Sequence, residues 1–171
     1  MIRFAHRAAP LALLALGAWG CSKPADAPAS PDEAAVRQAF AAFQEAVKAK
    51  DADKLWRLID DDSRAEADRA ARDTRDAHAK ADAAGKADQE KALGLSAADL
   101  AALDGKGFLR TTRFHGKYHE VPASTVEKVA VQGDKATLTY VEDDADHDKE
   151  KLTFIRQAGQ WKVSAPMPRG G

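Results

Sequence analysis

The stretch TVEKVAVQGDKATLTYV, residues 125–141, decides the fold. Within it Ala136, Leu138 and Tyr140 alternate with Thr137, Thr139 and Val141. Successive side chains of a strand point to opposite faces, so this period of two predicts one buried face and one solvated face. Gly133-Asp134 breaks the run where a tight turn would reverse the chain, leaving a first strand over residues 125–132. The pattern continues downstream. Leu152 and Phe154 alternate with Thr153 and Ile155, Ala158-Gly159 offers a second turn, and Trp161, Val163 and Ala165 alternate with Lys162 and Ser164. Two hairpins in series predict an antiparallel meander that buries Leu138, Tyr140, Leu152, Phe154, Trp161 and Val163. Pro166 and Pro168 end it.

Upstream the period changes to that of a helix. Ser30-Pro31-Asp32-Glu33 is a helix start, with Ser30 as cap, Pro31 in the first turn and Glu33 completing a capping box. Val36, Phe40, Phe43 and Val47 then form one apolar stripe that runs to about Lys50. Asp51 starts a second, short helix carrying Leu55, Trp56, Leu58 and Ile59, and the two should pack together with Trp56 in or near the seam. Helices first and an antiparallel sheet afterwards mean α+β, with the 36–47 stripe as the cover for the sheet's apolar face.

Residues 60–92 hold no Val, Ile, Leu, Met or aromatic side chain. Alanine and charged residues dominate, which favours one long additional helix, capped by Ser63 with Glu66 and ended or bent at Gly85. Ala67, Ala70, Thr74, Ala77, Ala81 and Ala84 would make a small-residue stripe that buries little area, so this helix should pack weakly, with His78 exposed. Ser96 and Asp99 open another short helix with Leu100 and Leu103, closed by Gly105 and Gly107. Phe108, Leu109 and Phe114 return apolar bulk to the core, and residues 113–121 could supply a further strand.

The capped first helix with its FQEAVK segment, the DADKLW corner at residues 51–56 and the closing GQWKV at 159–163 resemble NTF2-like domains, over most of residues 31–166. The resemblance implies a curved sheet wrapped on helices as a cone with a cavity. Such domains include ketosteroid isomerase-like and SnoaL-like enzymes as well as many proteins with no catalysis. Residues 60–92 are longer and more charged than the usual third helix of that family.

The N-terminus reads as an export leader. Arg3 and Arg7 precede an apolar run over residues 10–18, far shorter than the roughly 20 residues a membrane-spanning helix needs. The run ends at Gly20-Cys21, which resembles the lipobox of bacterial lipoproteins, although Ala18 stands where leucine is usual and Trp19 is bulky. The resemblance implies cleavage before Cys21, lipidation of Cys21 and, from Ser22 in place of Asp, anchoring in an outer membrane facing the periplasm. Residues 1–21 are then the leader, 22–31 a Pro-, Ala- and Ser-rich tether with no large apolar group, and 32–168 a single domain. The chain has one cysteine, so no disulfide forms within it.

Charge excludes some partners. Of 26 basic residues two lie in the leader, leaving 24 against 27 acidic ones. That balance argues against nucleic acid as a partner and against a polybasic membrane-surface domain. Three constellations remain. His115 and His119 in the HGKYH segment would share a face on a helix, but Gly116 and the flanking aromatics argue for extended chain. There they would stand about 13 Å apart, too far to share an ion. A polar rim at a cavity mouth is the better reading. The acidic run over residues 142–148 with His147 reads as a solvated hairpin loop. Tyr140 could donate a proton in an isomerase-like site, but no inward carboxylate accompanies it. The expectation is a non-catalytic envelope module that binds a small molecule or another envelope protein. The alternative is an isomerase or hydratase of the NTF2-like kind. Candidate ligand-binding residues are Trp56, Tyr140, Trp161, His115, Tyr118 and His119; no catalytic residue, metal or cofactor is assigned.

Overall fold

The structure, a computed structural model, describes residues 30–143 and 145–168. It is α+β: a helical half followed by a four-stranded antiparallel meander. Helix α1 spans Pro31–Ala49, and the Ser30 hydroxyl accepts from the Glu33 amide at its start. Lys50 adopts the left-handed conformation that closes it. Asp51 caps α2, Ala52–Leu58. The sequence-read stripe is buried, with Val36, Phe40, Phe43 and Val47 at most 3% exposed. It lies against strands β1 (Thr125–Gln132), β2 (Lys135–Val141) and β4 (Gln160–Ser164), while β3 (Lys149–Gln157) completes the sheet between β2 and β4. Each phenylalanine so buried contributes about 1.5–3 kcal/mol.

All six residues assigned to the inner face are buried. Register runs Leu138 opposite Val129 and Leu152, and Phe154 opposite Ala136 and Val163, so the apolar rows line up across the sheet. A bulge between Val126 and Lys128 breaks the β1 register. Gln44 joins the halves. Its Nε2 donates to the Val121 and Ser124 carbonyls, each at 2.9 Å, fastening the entry to β1 onto α1.

The charged segment differs from its reading. It forms two helices, α3 (Asp61–Lys80) and α4 (Ala83–Leu93), and the break falls at Ala81-Asp82 rather than at Gly85. Asp82 accepts from the Gly85 amide, so it starts a new helix, and Gly85 sits inside that helix's first turn. The cap of α3 is Asp60, which accepts from the Ser63 amide; Ser63 is buried, and its hydroxyl accepts from the Ala165 amide. His78 is buried, not exposed, because α4 folds back and places Glu90 Oε1 at 3.3 Å from its Nε2. The buried face of α3 is Ser63, Ala67, Ala71 and His78, rotated from the expected stripe.

Nor does α3 stand away from the body. Short helices α5 (Ala97–Ala101) and α6 (Gly105–Phe108) pack along it. Gly105 and Gly107 do not close a helix; they begin α6, capped by Asp104. Gly105 donates to Asp68 Oδ1 at 3.1 Å, and a Cβ on it would stand 2.8 Å from the Asp68 backbone nitrogen. Residues 113–121 hold no strand. Thr111 caps α7, Thr112–Lys117, by accepting from the Phe114 amide, and Gly116 is carried on its exposed side. A single exposed glycine costs a helix only about 1 kcal/mol, too little to undo a capped turn with Phe114 buried beneath it.

Candidate functional site

A groove of about 460 Å³ is walled by α3 and α4 and closed by α6, α7 and the segment after β4. That volume is in the range of small-molecule sites. Helix α3 supplies one wall through Ala70, Thr74 and Ala77, whose small side chains leave the space open. Leu93 of α4, Phe108 of α6 and Met167 make the apolar floor, and all three are buried. Around it stand Glu66, Arg69 and Asp73 of α3, Gln89 of α4 and Arg113 of α7.

Two features of this rim are chemically incomplete. Gln89 Oε1 is shut off from solvent and has no hydrogen-bond donor. A buried acceptor left unpaired costs about 1–3 kcal/mol, so it is a standing demand for a donor. Arg69 and Arg113 form no ion pair among the described residues, although Glu66 and Asp73 line the same opening. The lining holds no imidazole, thiol or serine, and Thr74 is its only hydroxyl. A smaller opening of about 270 Å³ lies between α5 and α6, beside Asp104, Lys106 and Arg110.

The residues singled out from sequence lie elsewhere. Tyr140 is buried against Phe40, ring centroids 5.6 Å apart. Burial first, then the charges of Glu142 and Glu150, push its phenol up to about 12. Tyr118 packs edge-on to Phe43 and is tilted on Phe114. Its hydroxyl donates to the Pro166 carbonyl at 2.9 Å, and burial above all holds it protonated. Together Phe40, Phe43, Tyr118, Tyr140 and Phe154 fill the space between α1 and the sheet, where a cone fold would hold its cavity. Trp161 is buried under the Arg156 guanidinium, 4.4 Å from ring centroid to Cζ, and Arg156 in turn pairs with Asp32 at 2.7 Å and Asp134 at 3.2 Å. Trp56 is half-buried against the core, with Arg64 over its ring.

The two histidines go separate ways. His115, on α7, is half-buried with Nε2 enclosed and unpartnered. Desolvation, then the nearby charge of Lys50, lower its pKa against a backbone hydrogen bond at Leu109 that raises it. His119 follows the helix, is exposed, and pairs with Glu120 at 2.7 Å. Among the described residues no three His, Cys, Asp or Glu side chains gather as a metal site would require. Tyr118 alone of the six touches the groove's construction. By holding Pro166 it sets the segment that places Met167 in the floor. Cys21 lies outside the described residues, and among the latter no helix is long and apolar enough to cross a membrane.

Comparison with known protein families, with curated proteins and with solved structures returned no match.

Proposed function

We propose that this chain is an exported, lipid-anchored envelope protein whose NTF2-like domain is a non-catalytic binding module, and that the α3–α4 groove holds its ligand. The leader and Gly20-Cys21 support the anchor, and the capped α1 lying across an antiparallel sheet supports the architecture. The observation that carries the binding reading is the rim of the groove. An enclosed Gln89 acceptor and two arginines without ion pairs surround an apolar floor. A small amphipathic molecule would complete all three, placing its apolar part on Leu93, Phe108 and Met167, a donor on Gln89 and an anionic group toward Arg69 and Arg113.

Native mass spectrometry of the protein purified from its own envelope tests both parts. The mature chain should carry acyl mass on Cys21, and its absence removes the anchor. A non-covalent small molecule should accompany the wild-type chain and be missing from Ala77→Trp, which fills the groove from an exposed position. A small molecule retained equally by that variant sinks the groove reading. Turnover of a steroid-like or hydroxylated ring substrate would instead favour the isomerase alternative.

A further inference from the structure

The outward face of the sheet carries a charge pattern that the overall composition conceals. Register places Lys135 and Lys162 in one cross-strand row, flanking Ile155. Lys128 and Lys151 stand in another row, flanking Thr139. Between these rows lie Ala130, Thr137, Thr153 and Ser164. With strands about 4.8 Å apart and about 3.3 Å rise per residue, each pair spans roughly 10 Å, the rows lie about 13 Å apart, and the second is displaced by one strand, so the four lysines mark a skewed parallelogram. Its floor is small and rich in hydroxyls.

No residue in register on this face is acidic. Glu127, the extra residue of the β1 bulge, pairs with the fifth outward lysine, Lys149. Lys128, Lys135 and Lys151 are exposed and have no partner among the described residues. Lys162 donates only to neutral oxygens, the Arg57 carbonyl at 2.7 Å and Gln160 Oε1 at 2.9 Å, and desolvation, then the charge of Arg64, lower its pKa against the opposing charge of Asp61. Asp61 itself pairs with Arg64, and Asp134, at the β1–β2 turn, pairs with Arg156. The acidic residues Glu142, Asp143, Asp146 and Asp148 flank the Val141–Lys149 pair, two residues beyond the Lys128–Lys151 row, so the Lys135–Lys162 row is the one farther from them.

We propose that this face docks the domain on an anionic lipid surface, with phosphate groups over the two lysine rows and the Thr137, Thr153 and Ser164 hydroxyls between them. The setting rests on the anchored reading; the chemistry of the face does not. Eight residues separate Cys21 from Ser30, a reach of roughly 30 Å at full extension. That is comparable to the width of a domain of this size, roughly 35–40 Å. That span does not exceed the domain's width, so its length selects no face and the charge pattern carries the choice.

The test uses the chain from residue 22 onward, which keeps every described residue and removes any acyl anchor. Its co-sedimentation with phosphatidylglycerol-containing vesicles is compared with that on phosphatidylcholine alone. Binding should be specific to the anionic vesicles and fall as salt rises. Lys128→Gln, Lys135→Gln and Lys151→Gln together should weaken it about fivefold per lysine, roughly a hundredfold in all. The control triple Lys48→Gln, Lys80→Gln and Lys91→Gln makes the same change of net charge on exposed helical sites and should bind as wild type. No binding to anionic vesicles, equal binding to neutral ones, or equal loss in the control triple overturns the proposal. So does lysine-dependent binding of heparin without any of vesicles. Because the anchor is absent throughout, these outcomes are independent of whether Cys21 carries acyl mass.

Discussion

Two glycines make opposite demands on the same substitution. Gly105→Ala places a methyl carbon 2.8 Å from the Asp68 backbone nitrogen and closer still to its carboxylate. The Asp68 side chain can rotate away, but then the Gly105 amide loses its charged acceptor, worth about 1.5–3 kcal/mol. The backbone contact remains in either case, and overpacking of this sort costs about 1–3 kcal/mol. Against that stands about 1 kcal/mol of helix propensity gained by alanine. The net expectation is a loss of about 2–4 kcal/mol. At about 3–5 °C per kcal/mol for a domain of this length, the melting temperature should drop by roughly 6–20 °C. Gly116→Ala is the mirror case. A Cβ there meets nothing within 4 Å, and the site is exposed on α7. It should gain about 0.5–1 kcal/mol and raise the melting temperature by roughly 2–4 °C. Circular dichroism melts of both variants beside the wild-type chain make the comparison. If Gly105→Ala melts at or above wild type, α6 does not approach α3 through Gly105, and the placement of Phe108 in the groove floor loses its support.

Two electrostatic outcomes accompany that one. Tyr118 and Tyr140 are the chain's two tyrosines, both with phenols held protonated by burial. In the folded protein the ultraviolet tyrosinate signal should therefore stay absent through pH 10 and appear only with unfolding or near pH 12. In the denatured chain it should rise around pH 10. The sign follows from linkage: above pH 10 the unfolded chain sheds these protons while the native chain retains them, so stability falls as pH climbs. Tyr140, raised from about 10 to about 12, contributes on the order of 2–3 kcal/mol to that fall. The second outcome concerns Asp32, whose carboxyl is held below its ordinary range chiefly by its hydrogen bond to Arg156. Arg156→Ala should raise it toward the ordinary carboxylate range in a carboxyl NMR titration, and an unmoved value would show that the pair is not formed in solution.

What the sequence disclosed depended on whether the signal was local. The sheet was readable because alternation and the Gly133 and Gly159 turns are local, and α1 because Ser30 and Pro31 mark its start unambiguously. The break between α3 and α4 was not, because Asp82 is one aspartate among many and only its bond to the Gly85 amide distinguishes it as a cap. Helix α7 was missed for the converse reason. Gly116 drew attention as a breaker, while Thr111, three residues before Phe114, supplied the cap that outweighs it. His78 is buried by Glu90, twelve residues on, which no helical period relates to it. The groove draws on residues 66–77, 89–93, 108–113 and 167–168, so no contiguous motif announces it. Its one local trace is the run of small residues at Ala70, Thr74 and Ala77 beside Arg69 and Asp73. That run was legible as a stripe, though as a packing face rather than an opening.

Net charge failed in a more instructive way. A balance of 24 basic to 27 acidic residues says nothing about how the signs are sorted. Here the secondary structure sorts them. On α3 and α4 both signs alternate around the helix, and they cancel within a turn or two. On the strands the period of two segregates faces, and lysines at outward positions 128, 135, 149, 151 and 162 meet only Glu127. A long-range field falls off over a Debye length of about 8 Å, so a surface senses the sorted face and not the distant sum. The same sorting makes the two proposed surfaces separable. The groove is built from helices and the segment after β4, the lysine face from strands, and no residue belongs to both. Loss of vesicle binding with a groove ligand retained, and loss of the ligand with vesicle binding retained, should therefore follow from the two sets of substitutions independently. A variant of one set that abolished both would mean that they act through the fold, and neither surface could then be credited with its partner.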